Sequence, residues 1–177
     1  MSINLGAPKS NDDEYYTPQY AIEMLKDYLP DKNKVCWECF TSGNHEYIES
    51  PNYIKSLGYK VIADGEDFWK SNKGDWVCSN PPYYTPRGQK NIKTRIIERL
   101  CEIDKPFCLL LPTLYLHTKT FKGVKDRFGN FQIIMPAKKI QFYKVIDGKK
   151  VQPKKGCNFY TLWVCYKMNL PSDWILI

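Results

Sequence analysis

Between residues 35 and 111 short apolar runs alternate with stretches of helical periodicity, and every run stops at polar or turn-forming residues. Val35 to Phe40, Tyr59 to Ala63, Trp76 to Ser79 and Phe107 to Leu111 are too short and too β-prone for helices, and they predict strands. The stretches between them predict helices. Tyr47 to Leu57 has Gly58 behind it as a C-cap, and Asn91 to Ile103 places Ile92, Ile96, Leu100 and Ile103 on one face. An earlier helix is expected from Pro18 to about Leu29, with Thr17 as N-cap, Pro18 in the first helical position and Pro30 as the stop. Strands joined through helices pair in parallel. After Phe131 the pattern turns to strands and turns: Gln132 to Met135, Ile140 to Tyr143, a turn at Asp147-Gly148, and Phe159 to Tyr166. The expected fold is therefore an α/β sandwich with a mostly parallel sheet, an antiparallel edge and an antiparallel C-terminal hairpin. In such sheets ligands sit at the carboxyl ends of the strands.

At 177 residues the chain fits one domain that buries a core without disulfides or metals. Residues 1–14 are polar and aperiodic and predict a mobile arm, leaving residues 15–177 as a single domain. No apolar run approaches the roughly 18 residues of a membrane span, and the N-terminus lacks a signal-peptide core, which points to the cytosol. Seven cysteines, mostly within apolar runs, read as buried free thiols. Cys36 and Cys39 form a C-x-x-C pair, but no second pair follows and His45 and His117 are the only histidines, so no metal site is expected. The formal charge of +7 favours a polyanionic partner. Its lysines and arginines thicken between Arg87 and Arg99 and between Tyr143 and Gly156. In the second segment Lys144, Lys149, Lys150, Lys154 and Lys155 surround the Asp147-Gly148 turn as a candidate phosphate-contacting hairpin, with a merely solvated face as the alternative.

Ser79-Asn80-Pro81-Pro82-Tyr83 carries the most chemistry. An amino group on an aromatic ring is a poor nucleophile because its lone pair is delocalised. The Asn80 side-chain carbonyl and the Pro81 main-chain carbonyl can each accept one of its N–H groups, drawing the nitrogen toward a tetrahedral shape. Pro81 and Pro82 fix φ and stiffen the presentation of that carbonyl. Tyr83 offers a flat face for an extruded base. A plain strand-ending turn is the alternative for a lone tetrapeptide.

In its context, Asp75-Trp76-Val77-Cys78-Ser79-Asn80-Pro81-Pro82-Tyr83 resembles motif IV of the amino-methyltransferases. Other segments resemble further motifs of the same superfamily. Val35 to Asn44 is similar to motif I, with Glu38, Phe40 and Gly43 as implied cofactor contacts, although it has one glycine where two or three are common. Gly58 to Asp64 resembles motif II, which implies that Asp64 accepts hydrogen bonds from the ribose hydroxyls of S-adenosylmethionine. Asp67 and Phe68 resemble the motif that holds the cofactor's adenine, and read otherwise as a turn former and a core residue. Tyr15-Tyr16-Thr17-Pro18 resembles motif X, which implies that Tyr16, Thr17 and Pro18 lead into a helix whose N-terminus approaches the methionine carboxylate. Lys139 to Phe142 and Asn158-Phe159 resemble motif VIII, where Phe142 would pack beside the target base, with a core phenylalanine as the alternative.

The order X, I, II and III, IV, VIII most resembles small phage-type N6-adenine DNA methyltransferases. The resemblance implies a Rossmann-like methyltransferase fold, S-adenosylmethionine as cofactor and transfer of a methyl group to adenine N6 in DNA. Asn80, Pro81, Pro82 and Tyr83 are its implied catalytic residues, and Tyr83, Arg87, Phe142, Lys149 and Lys150 its implied nucleic-acid contacts. RNA adenine methylation, protein glutamine methylation and a catalytically silent binding subunit remain alternatives. Between Tyr83 and Phe107 there is room for a loop and one helix only, so target selection is expected to be short, weak or supplied by a partner protein.

Overall fold

The computed structural model describes residues 15–41, 47–153, 156–157 and 159–177. The arm expected at residues 1–14 lies outside them, as do Gly43, Asn44, Lys154, Lys155 and Asn158.

Helix α1 (Gln19–Glu23) precedes strand β1 (Cys36–Trp37), α2 (Ser50–Ser56), β2 (Val61–Ile62), β3 (Trp76–Ser79), α3 (Ile92–Glu102) and β4 (Phe107–Pro112). A 3-10 turn over Thr113–His117 leads into α4 (Lys119–Phe128), β5 (Gln132–Met135), β6 (Lys144–Ile146), β7 (Lys149–Val151), β8 (Thr161–Tyr166) and β9 (Trp174–Leu176). The seven-stranded sheet has the order β2-β1-β3-β4-β8-β5-β9, and β6 and β7 form a separate antiparallel hairpin. Every strand of the large sheet runs the same way except β8, which is antiparallel to β4 on one side and to β5 on the other. The mostly parallel α/β architecture and the hairpin agree with the sequence. The antiparallel strand, however, lies inside the sheet and not at its edge, because β5 and β9 continue the parallel direction beyond it.

All residues of β3, β4 and β8 are buried, so both faces of the sheet are covered there. That explains why these strands read as continuous apolar runs instead of alternating ones. Trp76, Phe107 and Trp163 are among the largest fully buried side chains. The turn entering β3 is tight: Gly74 has φ +58°, and a Cβ there would lie 2.8 Å from the Val35 carbonyl oxygen, so only glycine lets this turn hug β1.

Asn91 starts α3 by accepting a hydrogen bond from the Lys93 amide (3.0 Å), and Ile96, Ile97, Leu100 and Cys101 form its buried stripe. Thr118 starts α4 in the same manner, through the Phe121 amide at 3.1 Å, and the helix ends at Gly129 with φ +94°. Neither α4 nor β9 is among the elements that the sequence pattern predicts. That pattern also predicts a helix through Leu29, whereas α1 ends at Glu23 and continues as turns to Leu29; Pro18 occupies the N-cap and no side chain caps it. Ile140 to Tyr143 is no sheet strand. It is an extended segment with Ile140 and Phe142 buried, tied to the N-terminal segment by a two-way backbone pairing of Tyr143 with Tyr16 (2.9 and 3.0 Å). All seven cysteines are free and buried, and burial raises the thiols of Cys36, Cys39 and Cys108 well above their ordinary value. Among the described residues no helix is long and apolar enough to cross a membrane.

Candidate functional site

Parallel pairing puts the carboxyl ends of β1, β2, β3 and β4 on one edge of the sheet, and Glu38, Asp64 and Asn80 follow the first three. Because β8 runs the other way, its leading residues Phe159 and Tyr160 come to the same edge; Thr161 faces Pro112 in the register.

Glu38 is 2% exposed. Its carboxylate accepts hydrogen bonds from the Ser79 hydroxyl, the Ser50 hydroxyl (2.9 Å) and the Phe40 amide (3.4 Å). Three elements therefore meet on one side chain: the end of β1, the end of β3 and the first turn of α2. Burial pushes the Glu38 carboxyl up to about 7, and the two serine hydroxyls and the Phe40 amide only partly offset this. Its oxygens point inward, onto the scaffold.

Asn80 stands directly after Ser79. Its Nδ2 donates to the Tyr15 carbonyl at 3.1 Å, which leaves Oδ1 as the acceptor of the Tyr83 hydroxyl at 2.6 Å. The Leu110 carbonyl lies 2.8 Å from that hydroxyl, so one proton serves two acceptors. Pro81 is buried and Pro82 exposed. Tyr83 is 3% exposed, with its ring edge-on to Phe159 at 5.8 Å and its carbonyl accepting from the ammonium of buried Lys93 at 2.6 Å. It is thus not the open stacking face expected from sequence: the hydroxyl's two acceptors draw the ring into the core.

Tyr15 joins the N-terminal segment to this centre. Besides holding Asn80, its ring is edge-on to Phe159 (5.1 Å) and Phe142 (6.1 Å), and the Lys144 ammonium lies over it at 4.6 Å. Phe142 is fully buried against Phe159 at 5.6 Å, which makes it a wall behind the site and not an accessible face. Tyr16, Thr17 and Pro18 are buried beside it.

The segment expected to hold the cofactor's adenine packs on the end of β1. Phe68 is buried between Phe40 (4.8 Å) and Trp37 (5.8 Å, stacked), with Trp69 edge-on at 4.9 Å. Asp67 closes the turn by accepting from the Trp69 amide at 2.9 Å. Asp64 is exposed and paired with Lys73, which holds its carboxyl below the usual range; Lys73 also reaches Glu66 at 2.8 Å.

The hairpin β6-β7 docks on the start of α2. Lys150 is bonded to Glu49 and lies over the Tyr143 ring (5.3 Å), and the Tyr47 hydroxyl donates to the Gly148 carbonyl at 3.2 Å. Lys150 thus holds the hairpin in place, whereas Lys149 and Arg87 are exposed at the surface. Sequence reasoning missed Ser50, Ser79, Lys93 and the main-chain part of Tyr15. A serine beside a motif residue gave some hint for Ser79; the others act through partners ten or more positions away, which no local pattern encodes.

No family model and no curated protein sequence matches the chain. Among solved structures, it is similar to a protein assigned as the modification subunit of a type I restriction enzyme from Vibrio vulnificus, at 12% identity and a TM-score of 0.50. That likeness covers 89% of this chain and 45% of that one, so this chain spans less than half of its length. A protein assigned as an RNA methyltransferase from Pyrococcus horikoshii matches at 15% identity and a TM-score of 0.49 over 92% of both chains. An O-methyltransferase from Thermotoga maritima matches at 13% identity and 0.42, covering 83% of this chain and 63% of that one. At 12% identity the likeness to the Vibrio vulnificus protein is one of fold.

Proposed function

We propose that the chain is an S-adenosylmethionine-dependent methyltransferase that modifies the N6 amino group of adenine in DNA. The observation that carries this reading is the fixed amide of Asn80 at the carboxyl end of β3. Tyr15 binds its nitrogen side, so the oxygen side is set, and a carbonyl oxygen with two lone pairs can accept an amine N–H beside the Tyr83 hydroxyl. The shared fold with the Vibrio vulnificus modification subunit is consistent with a cofactor at this edge.

The residues present fit that cofactor in part. Asp64, exposed at the end of the strand beside β1, suits two ribose hydroxyls, and half-buried Phe40, backed by Phe68, offers an apolar bed for its adenine. Glu38 does not offer its carboxylate outward; it braces Ser79 and thereby the residue after it. When bound, the cofactor supplies a methyl group on a sulfonium. Asn80 and the Pro81 carbonyl orient the amine and gather its developing positive charge, and the buried Tyr83, Phe142 and Phe159 keep that end of the site dry.

The test is mass spectrometry of nucleosides from DNA and RNA incubated with the protein and cofactor. N6-methyladenine in DNA is the expected product. Its absence from DNA, with methyl transfer to RNA or to protein glutamine instead, would replace the substrate; no transfer to any of them would favour a silent binding subunit.

A further inference from the structure

The contact between Tyr83 and Phe159 has an outward counterpart. Both rings are buried, 5.8 Å apart, while the residues that follow them in the chain face solvent: Tyr84 is 36% exposed and Tyr160 56%. The Thr113 amide donates to the Tyr160 carbonyl at 2.9 Å, which ties in the loop after β4, and there Leu114 is 40% exposed. The segments that follow β3 and β4 and precede β8, three neighbouring strands, thus each carry one large exposed side chain.

A cation lies on this rim. The Lys139 ammonium lies over the Tyr160 ring at 5.1 Å and is anchored on the Cys157 carbonyl; Arg87 and Lys138 are exposed nearby in the chain, and Lys90 is paired with Glu98 at 2.6 Å. With the formal charge of +7, the complementary partner is a polyanion. A ring with an ammonium on its face matches a nucleotide, whose base stacks while its phosphate meets the cation. Duplex bases are already stacked on one another and hide their faces; an unpaired strand exposes them.

We infer that Tyr84, Leu114 and Tyr160 form a stacking rim for unpaired DNA beside the target adenine, so that single-stranded DNA is the substrate class. This rests on the methyltransferase reading of the Asn80 site. Base-aromatic stacking changes affinity by about tenfold per base.

The experiment is fluorescence anisotropy with the full chain, without cofactor, on one labelled adenine-containing oligonucleotide as single-stranded DNA, as duplex and as single-stranded RNA. The single DNA strand should bind at least about tenfold tighter than the duplex. Tyr160→Ala and Tyr84→Ala should each lose about that factor on the single strand alone, and Tyr160→Phe, which keeps the ring, should not. Equal or tighter binding of the duplex, parental binding by both alanine variants, preference for RNA, or no binding of any strand would each overturn the inference. Methyl transfer is scored separately: duplex methylation indifferent to Tyr160 removes the inference and leaves the function standing. Tight, Tyr160-dependent strand binding without methylation upholds the rim and removes the function.

Discussion

The hydroxyl of Tyr83 stands 2.6 Å from Oδ1 of Asn80 and 2.8 Å from the Leu110 carbonyl, so the motif's last residue holds its first in place from inside the core. Tyr83→Phe keeps the ring and removes this clamp. It should cost ~1–3 kcal/mol of stability, because a buried carbonyl loses its partner, and should slow methyl transfer without changing cofactor affinity. Denaturant unfolding beside single-turnover kinetics reads both; parental stability and rate together would show that the clamp is idle.

Asn80→Ala should fold and bind cofactor as the parent does but lose on the order of 100- to 1,000-fold in turnover, the typical loss for one preorganised polar partner. Single-turnover assays on an adenine-containing strand measure it. A parental rate would end the amine-orienting role.

Asp64→Ala should weaken S-adenosylmethionine by roughly 1–3 kcal/mol, since two ribose hydroxyls lose their acceptor. Lys73→Ala, which frees Asp64 from its ion pair, should bind at least as tightly as the parent. Calorimetry on the two variants separates a ribose acceptor from a residue that merely pairs with Lys73: in the second case Asp64→Ala binds normally.

Glu38 sets a pH dependence. Its folded carboxyl is raised from 4.5 to about 7, so between those values the native state holds more protons than the unfolded one and stability falls as pH rises. The contribution is complete below the unfolded value and lost once pH passes about 7. Glu38→Gln, which stays neutral, should flatten this slope in unfolding curves taken from pH 5 to pH 8. An unchanged slope would assign it to other groups.

The hairpin lysines divide into two roles. Lys149→Glu should lower the log–log salt slope of DNA binding by about 1 with stability unchanged, as expected for one lost phosphate contact. Lys150→Glu places a carboxylate against Glu49 and should destabilise the hairpin's docking, visible as a lower melting temperature. If Lys149→Glu leaves slope and affinity at parental values, the hairpin's exposed face is not a phosphate contact.

How much of this was legible in the sequence depended on how local the cause was. β3 was read at Trp76 to Ser79, because a doubly buried strand is a continuous apolar run that stops at Asn80-Pro81. Helix α3 was legible from one face of isoleucine and leucine behind an asparagine cap. Helix α4 was equally signalled by Thr118, Phe121, Val124, Phe128 and Gly129, and its many lysines hid that stripe. β9 was not legible: its three residues become a strand only by pairing with β5, some forty positions earlier. The site divides likewise. The positions of Glu38, Asp64 and Asn80 at strand ends followed from the pattern, but the inward turn of Glu38 and the burial of Tyr83 and Phe142 depend on Ser50, Leu110 and Phe159, contacts that only the tertiary fold creates.

The placement of β8 has a consequence for how the molecule is made. β4 and β5 are translated first but never touch as partners; each pairs with β8, which arrives later and slides in between them with the opposite polarity. Until residues 161–166 have left the ribosome, β4 has β3 on one side and an open backbone edge on the other, and β5 has no partner. The two parts of the sheet therefore join at β8, and β9 adds the outer edge after it. Slow, aggregation-sensitive maturation should centre on that gap, and a chain paused before Thr161 would be the form that a chaperone has most reason to hold.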